Sequence, residues 1–247
     1  MRKNVIILTT GLSGSSVLTG LIARAGYWTG EDTFKKADYD TFENQALIRL
    51  NLKLFQDAGY TGNYLLEYPP KAMRQVAELY GRIDCGPYGG LLDLCNAHRP
   101  WIWKDPRLWL TIRFWKHLLD LDNCRFILLT RGLMQSWISS TLRRQITTYG
   151  YQKDYELRVQ QSIIGFLAEN HLGYLHVEYE RLIQKPSVEI DRLNAHLETR
   201  LTVDDLKCVY HKPLYKNPRN SWLKHVKAML IYLKNYSERR GLVVERE

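Results

Sequence analysis

A chain of 247 residues with 45% hydrophobic and 12% aromatic side chains can bury a sizeable core, which excludes a disordered protein and favours a single domain over 1–247. Its formal net charge of +9 favours anionic partners such as nucleotides and sulfated or phosphorylated small molecules. The basic residues are spread, with only short clusters such as Arg143-Arg144 and Arg239-Arg240. The excess therefore reads as a pocket plus a solvated surface, with no nucleic-acid partner expected.

In chain order, Val5-Ile6-Ile7-Leu8 is a short apolar run, too short for a signal peptide, followed by a Gly/Ser turn and then Val17-Leu18 and Leu21-Ile22 at helical spacing. Phe42 to Phe55 reads as a helix with Leu47, Leu50 and Leu54 on one face, and another helix follows Pro70. Pro87-Tyr88-Gly89-Gly90 reads as a break before Leu91. Trp101-Ile102-Trp103 is a strand closed by Lys104-Asp105-Pro106-Arg107, and Arg125 to Thr130 is the clearest strand, closed by Arg131-Gly132. Helices are predicted over 134–146 and 154–170, a strand over Tyr174–Val177, a helix from Tyr179, and a C-terminal helical segment over about 217–240.

Strands alternating with helices predict a three-layer α/β fold with a mainly parallel central sheet. Ligands of such sheets sit beyond the carboxyl ends of the strands. The polar junctions 11–16, 104–107 and 130–131 all fall at strand carboxyl ends, so they should share one rim. The four cysteines are scattered and read as reduced thiols. No metal-ligand set is visible, no run approaches the roughly 20 apolar residues of a membrane span, and the expected location is cytoplasmic. Self-association stays open.

The stretch Gly11-Leu12-Ser13-Gly14-Ser15-Ser16 can turn its N–H groups inward at a helix start, which suits a phosphate or sulfate. The same stretch also suits a serine-capped helix with no ligand. It lacks the lysine of a nucleoside-triphosphate loop, which disfavours a kinase. Arg131 can bind a phosphate bidentately and Ser139, eight residues on, can complete that site. Pro106 holds Asp105 extended while Lys104 and Arg107 place two cations nearby; a local ion-pair cluster would look the same.

Together, GLSGSSVL, WKDPR, FILLTRGLMQSWISS and HVEYERLIQKP resemble the sulfotransferases that use 3′-phosphoadenosine 5′-phosphosulfate (PAPS), in the bacterial branch with an SGTS-type loop and a KDPR motif. The resemblance runs over about residues 4 to 200 and implies a P-loop-like fold without a metal. It implies that Leu12, Ser13, Gly14, Ser15 and Ser16 wrap the 5′-phosphosulfate, that Arg131 and Ser139 hold the 3′-phosphate, and that Lys216 and Arg219 help clamp it. Tyr179-Glu180 with Pro186 matches a mainly structural segment, and Glu43 is a candidate base, with Asp105 and Glu31 as alternatives. Leu12 stands where the family commonly has a cation, so Lys104, then Arg107, are expected to meet the charge that builds on the leaving group. The implied reaction moves a sulfuryl group to a hydroxyl or amine of a small molecule, such as a natural product. The alternatives are a non-catalytic adenosine-3′,5′-bisphosphate-binding protein and a P-loop-type kinase. Glu31, Asp32, Asp38, Asp40 and Glu43, with Trp28, Phe34, Tyr39 and Phe42, suit a polar, cationic acceptor if they line the pocket mouth; a solvated acidic loop explains them too.

Overall fold

The computed structural model of the protein describes residues 2–37, 39–209, 221–235 and 244–245. Strand β1 (Asn4–Thr9) leads through the Gly/Ser turn into α1 (Ser15–Ala23), and a hairpin of β2 (Thr33–Lys35) and β3 (Asp40–Asn44) follows. Helices α2 (Gln45–Asp57), α3 (Pro70–Ala77) and α4 (Gly86–Ala97) precede β4 (Ile102–Lys104) and α5 (Leu108–Trp115). Then come β5 (Cys124–Thr130), α6 (Leu133–Leu142), β6 (Gln145–Ile146), α7 (Tyr149–Glu169) and β7 (Tyr174–Glu178). The described chain closes with α8 (Tyr179–Gln184), α9 (Pro186–Leu197), α10 (Val203–Val209), α11 (Ser221–Lys234) and β8 (Val244–Glu245).

The central sheet has the order β4-β1-β5-β7, and its neighbouring strands are all parallel. Strands buried on both faces need side chains that are apolar without alternation, and Val5 to Leu8 and Phe126 to Leu129 meet that need. Ile6, Leu8, Phe126 and Leu128 enter a core with Trp103 and the helices α2 to α5 and α7, while Val5, Ile7, Ile127 and Leu129 enter another with α1, α8, α9 and α10. This gives three layers. The first core holds four almost fully buried tryptophans, Trp101, Trp103, Trp109 and Trp115. Replacing any of them with alanine should cost about 3–5 kcal/mol. Register pairs Ile7 with both Lys104 and Ile127, so the carboxyl ends of β4, β1 and β5 open on one rim.

Several elements differ from the sequence prediction. The helix expected over 42–55 begins at Gln45, because Asn44 accepts from the amides of Ala46 and Leu47 as its N-cap. Phe42 has φ 57, which no helix accommodates, so Glu43 lies on a strand and not on a helix face. The break expected at 87–90 is absent. Pro87 sits in the first turn of α4, where its missing N–H costs nothing, and Tyr88 anchors that turn, buried against Phe114 and Trp115. Helix α6 stops at Leu142, Arg144 takes φ 67, and β6 pairs with β8. Helix α7 starts at 149, where Thr148 accepts from the Tyr151 amide. All four cysteines are free thiols, and burial pushes Cys95 to about 11 and Cys124 to about 12, which leaves both unreactive at neutral pH. Among the described residues no helix is long and apolar enough to cross a membrane.

Candidate active site

A cavity of about 540 Å³ opens at the shared rim, within the usual size range of small-molecule sites. Its floor is the turn between β1 and α1. Leu12 and Gly14 both take left-handed conformations, φ 62 and 84, and the turn delivers the chain into α1 with no side-chain cap on the helix and no acidic residue in its first turn. The Val17 amide bonds back to the Gly14 carbonyl at 3.1 Å, and the amides of Ser15 and Ser16 ahead of it suit an anion. Gly14 is required twice over: its φ disfavours a side chain, and a Cβ there would come within 2.2 Å of the Tyr179 ring. Ser13, Ser15 and Ser16 all line the cavity. Ser13 is only 1% exposed, and its hydroxyl lies 2.6 Å from that of Thr9, which ties the loop to β1.

Arg131 leaves the end of β5 and donates from Nη1 to the Leu12 carbonyl at 2.7 Å. Its Nε lies 3.6 Å from Glu180, is buried, and makes no hydrogen bond. The guanidinium sits over the Tyr179 ring, and Glu180 also accepts from the Gly132 amide at 3.0 Å. Tyr179-Glu180, expected to be structural, therefore holds both the loop glycine and the arginine. Ser139 lines the same cavity from α6, beside Gln135 and Arg143 at four-residue intervals.

Lys104 is the last residue of β4 and is 1% exposed. It lies behind the lining, with Nζ 2.6 Å from Glu43 Oε1 and 3.5 Å from Ser16 Oγ, both of which face the cavity. Burial pushes the Lys104 ammonium below its ordinary value, and Glu43 opposes that push without cancelling it. Arg107 lines the cavity, held by Asp105 at 2.9 Å and stacked on Tyr64. Asp105 is not an available base: it is fully buried and accepts from the Asn51 side chain, the Arg107 amide and the Arg107 guanidinium. Glu31 is exposed and outside the cavity lining. Lys216 and Arg219 lie outside the described residues.

The fold is similar to that of the sulfotransferase domain from the Synechococcus PCC 7002 olefin synthase, at 16% identity over 94% of each chain and a TM-score of 0.53. The chain has a sulfotransferase-like fold. Weaker likenesses run to sulfotransferase STF1 from Mycobacterium tuberculosis H37Rv (13% identity, 95% of this chain and 77% of that one, TM-score 0.44) and to sulfotransferase STF9 from Mycobacterium avium (11%, 99% and 79%, 0.45). No protein-family model matches the chain, and no curated protein does.

The structure lines one cavity with 11–17, Pro106, Arg107, Arg131 and Ser139, sets Lys104 and Asp105 behind that lining, and adds residues that sequence reasoning missed. The hairpin β2–β3 contributes Lys36 and Thr41, which sequence reasoning missed, besides Phe34, Tyr39 and Glu43, which it had named for the pocket mouth. Asp40 turns away to close the hairpin, accepting from Thr33 Oγ1 and from the Phe42 amide, each at 2.7 Å. Burial alone would raise the Tyr39 phenol, but a hydrogen bond from Arg143 and the charge of Lys36 outweigh it and leave it below its ordinary value. A second missed group is Glu156 of α7, buried behind α6 and bonded to Ser136 and Gln152; burial raises its carboxyl despite those donors. The spacing of Gln135, Ser139 and Arg143 was the one readable signal for this wall.

Proposed function

We propose that the protein is a sulfotransferase moving a sulfuryl group from PAPS to a hydroxyl or amine of a small-molecule acceptor. The observation that carries this reading is the meeting of three separated polar segments around one cavity, with an uncapped helix start facing Arg131 and Ser139. The residues present fit the donor. Arg131 keeps a buried Nε without a hydrogen bond, and the amides following Gly14 suit a doubly charged anion. Bound PAPS supplies the sulfuryl group, whose S–O bond to phosphate breaks as one to the acceptor forms.

The chain's own part is to place charge and to move one proton. Arg131 and Ser139 hold the 3′-phosphate, and the loop amides with Ser15 and Ser16 hold the phosphosulfate. Lys104 answers the negative charge that develops on the leaving oxygen, which fills the role left vacant by Leu12. A preorganised donor in that position is worth about 3–4 kcal/mol of barrier. As the ammonium turns toward that charge, Glu43 loses its partner and accepts the proton of the acceptor nucleophile. A non-catalytic bisphosphate-binding protein is the second reading, favoured by Leu12 itself, and turnover separates the two.

Calorimetric titration with adenosine 3′,5′-bisphosphate, against ATP and adenosine 5′-monophosphate, tests the proposal. Selective binding that weakens about 10–100-fold in Arg131→Ala is expected, the loss of a hydrogen bond to a charged group being worth about 1.5–3 kcal/mol. Equal binding of ATP, or an unchanged affinity in the variant, would overturn it.

A further inference from the structure

Apart from Lys224 of α11, which lines the cavity and has an interaction of its own, the cations around the cavity fall into two groups. Lys104, Arg107 and Arg131 each face a carboxylate, namely Glu43, Asp105 and Glu180. Lys36 and Arg143 do not: among the described residues neither forms an ion pair with a carboxylate. Tyr39 is what joins them. Lys36 Nζ stands 5.7 Å from its ring centroid, and Arg143 lines the same cavity near enough for its charge to hold the phenol's pKa down. A protonated phenol offers lone pairs but no charge, so two converging cations share a partner that does not balance them.

These two cations are separate from the groups assigned to the donor. Ser139 and Arg143 are four residues apart on one wall, a rise of about 6 Å, so Arg143 stands one turn beyond the 3′-phosphate position. Tyr39 and Glu43 lie four residues apart along the hairpin, a span of roughly 10–13 Å. Phe34, Leu65 and Ile138 line the same cavity with apolar surface. The cavity therefore has a reactive end at Glu43 and Lys104 and a cationic end at Lys36 and Arg143.

We propose that Lys36 and Arg143 bind an anionic group on the acceptor, a carboxylate or a phosphate, lying roughly 10 Å from the nucleophile that takes the sulfuryl group. This rests on the sulfotransferase reading, since it needs an acceptor in the cavity. It reverses the sign expected from sequence, because the two carboxylates described on the hairpin strands are used up there: Asp40 closes the turn and Glu43 pairs with Lys104.

The test uses the full chain saturated with adenosine 3′,5′-bisphosphate and titrated with 4-hydroxycinnamate or its methyl ester, in wild type and in K36A/R143A. Both side chains are exposed, so the variant keeps its fold, which its melting temperature checks. The carboxylate should bind at least ~10-fold more tightly than the ester in the wild type, a difference of about 1.4 kcal/mol. The double variant should lose that preference while its bisphosphate affinity stays within about 2-fold, since screened, exposed cations act on the group they touch. Equal binding of acid and ester, no binding of the acid, or a preference that survives substitution overturns the proposal. Lost bisphosphate affinity in the variant also overturns it, by returning both cations to the donor. A wild type that fails to bind the bisphosphate sinks the sulfotransferase reading and this assignment with it.

Discussion

The rim and the mouth of the cavity handle positive charge in opposite ways. At the rim, Lys104 is buried and Arg107 and Arg131 are largely so, and each rests against a carboxylate or a carbonyl of its own chain. At the mouth, Lys36 and Arg143 are exposed, and among the described residues they meet over a phenol and no carboxylate. A buried cation without a partner would cost several kcal/mol, so burial forces compensation at the rim. Exposure removes that penalty and leaves charge for a ligand. The difference separates two tasks: compensated cations are held in geometry before anything binds, and uncompensated ones choose what binds.

Lys104→Ala should break the comparison hardest. Turnover should fall about 10²–10³-fold, the effect of losing one preorganised donor, with bisphosphate affinity much less affected. Stability should fall as well, because Glu43 loses its partner; K104A/E43Q should recover the melting temperature and leave turnover low. Full activity in K104A would move the rim's chemistry to Arg107 or the loop amides. Gly14→Ala disturbs the rim without touching a charge. The left-handed backbone alone should cost about 1–2 kcal/mol, and displacement of the Tyr179 ring adds to it. Denaturant midpoints and bisphosphate titration should both register the loss, while the preference for carboxylate over ester at the mouth persists.

The smallest effect is a pH shift. Lys104 acts only as a cation, and its pKa is lowered, so turnover should decline as pH rises through a value below the ordinary 10.5. Glu43 raises that value by its charge and hydrogen bond. The residual turnover of Glu43→Gln should therefore lose its alkaline limb at lower pH than the wild type. An alkaline limb that stays in place would mean that another group titrates there.

The sheet was legible because its strands carry the pattern in themselves: Val5 to Leu8 and Phe126 to Leu129 are apolar on both faces and end in polar turns. The loop, Lys104-Arg107 and Arg131 with Ser139 were legible for a related reason, since each is a local motif at a strand end. The hairpin was not. The helical spacing of Leu47, Leu50 and Leu54 extends backward through Phe42, and only the cap at Asn44 and the positive φ of Phe42 stop it. The mouth was hidden for the same reason, because Lys36 and Arg143 meet through Tyr39 across more than a hundred residues of chain. Tyr88 hid the start of α4 by turning a Pro-Gly stretch into a buried helical anchor.

The bond from Arg131 to the Leu12 carbonyl has a kinetic meaning. In the free protein Nη1 of the arginine already holds a surrogate acceptor, so a phosphate that takes that donor enters by exchange with it. The exchange subtracts the strength of one charged hydrogen bond, about 1.5–3 kcal/mol, from the affinity that the arginine would otherwise give. Under the proposed function, what the spent nucleotide would lose in grip the cycle would gain in release, since the carbonyl stands ready to reclaim the guanidinium.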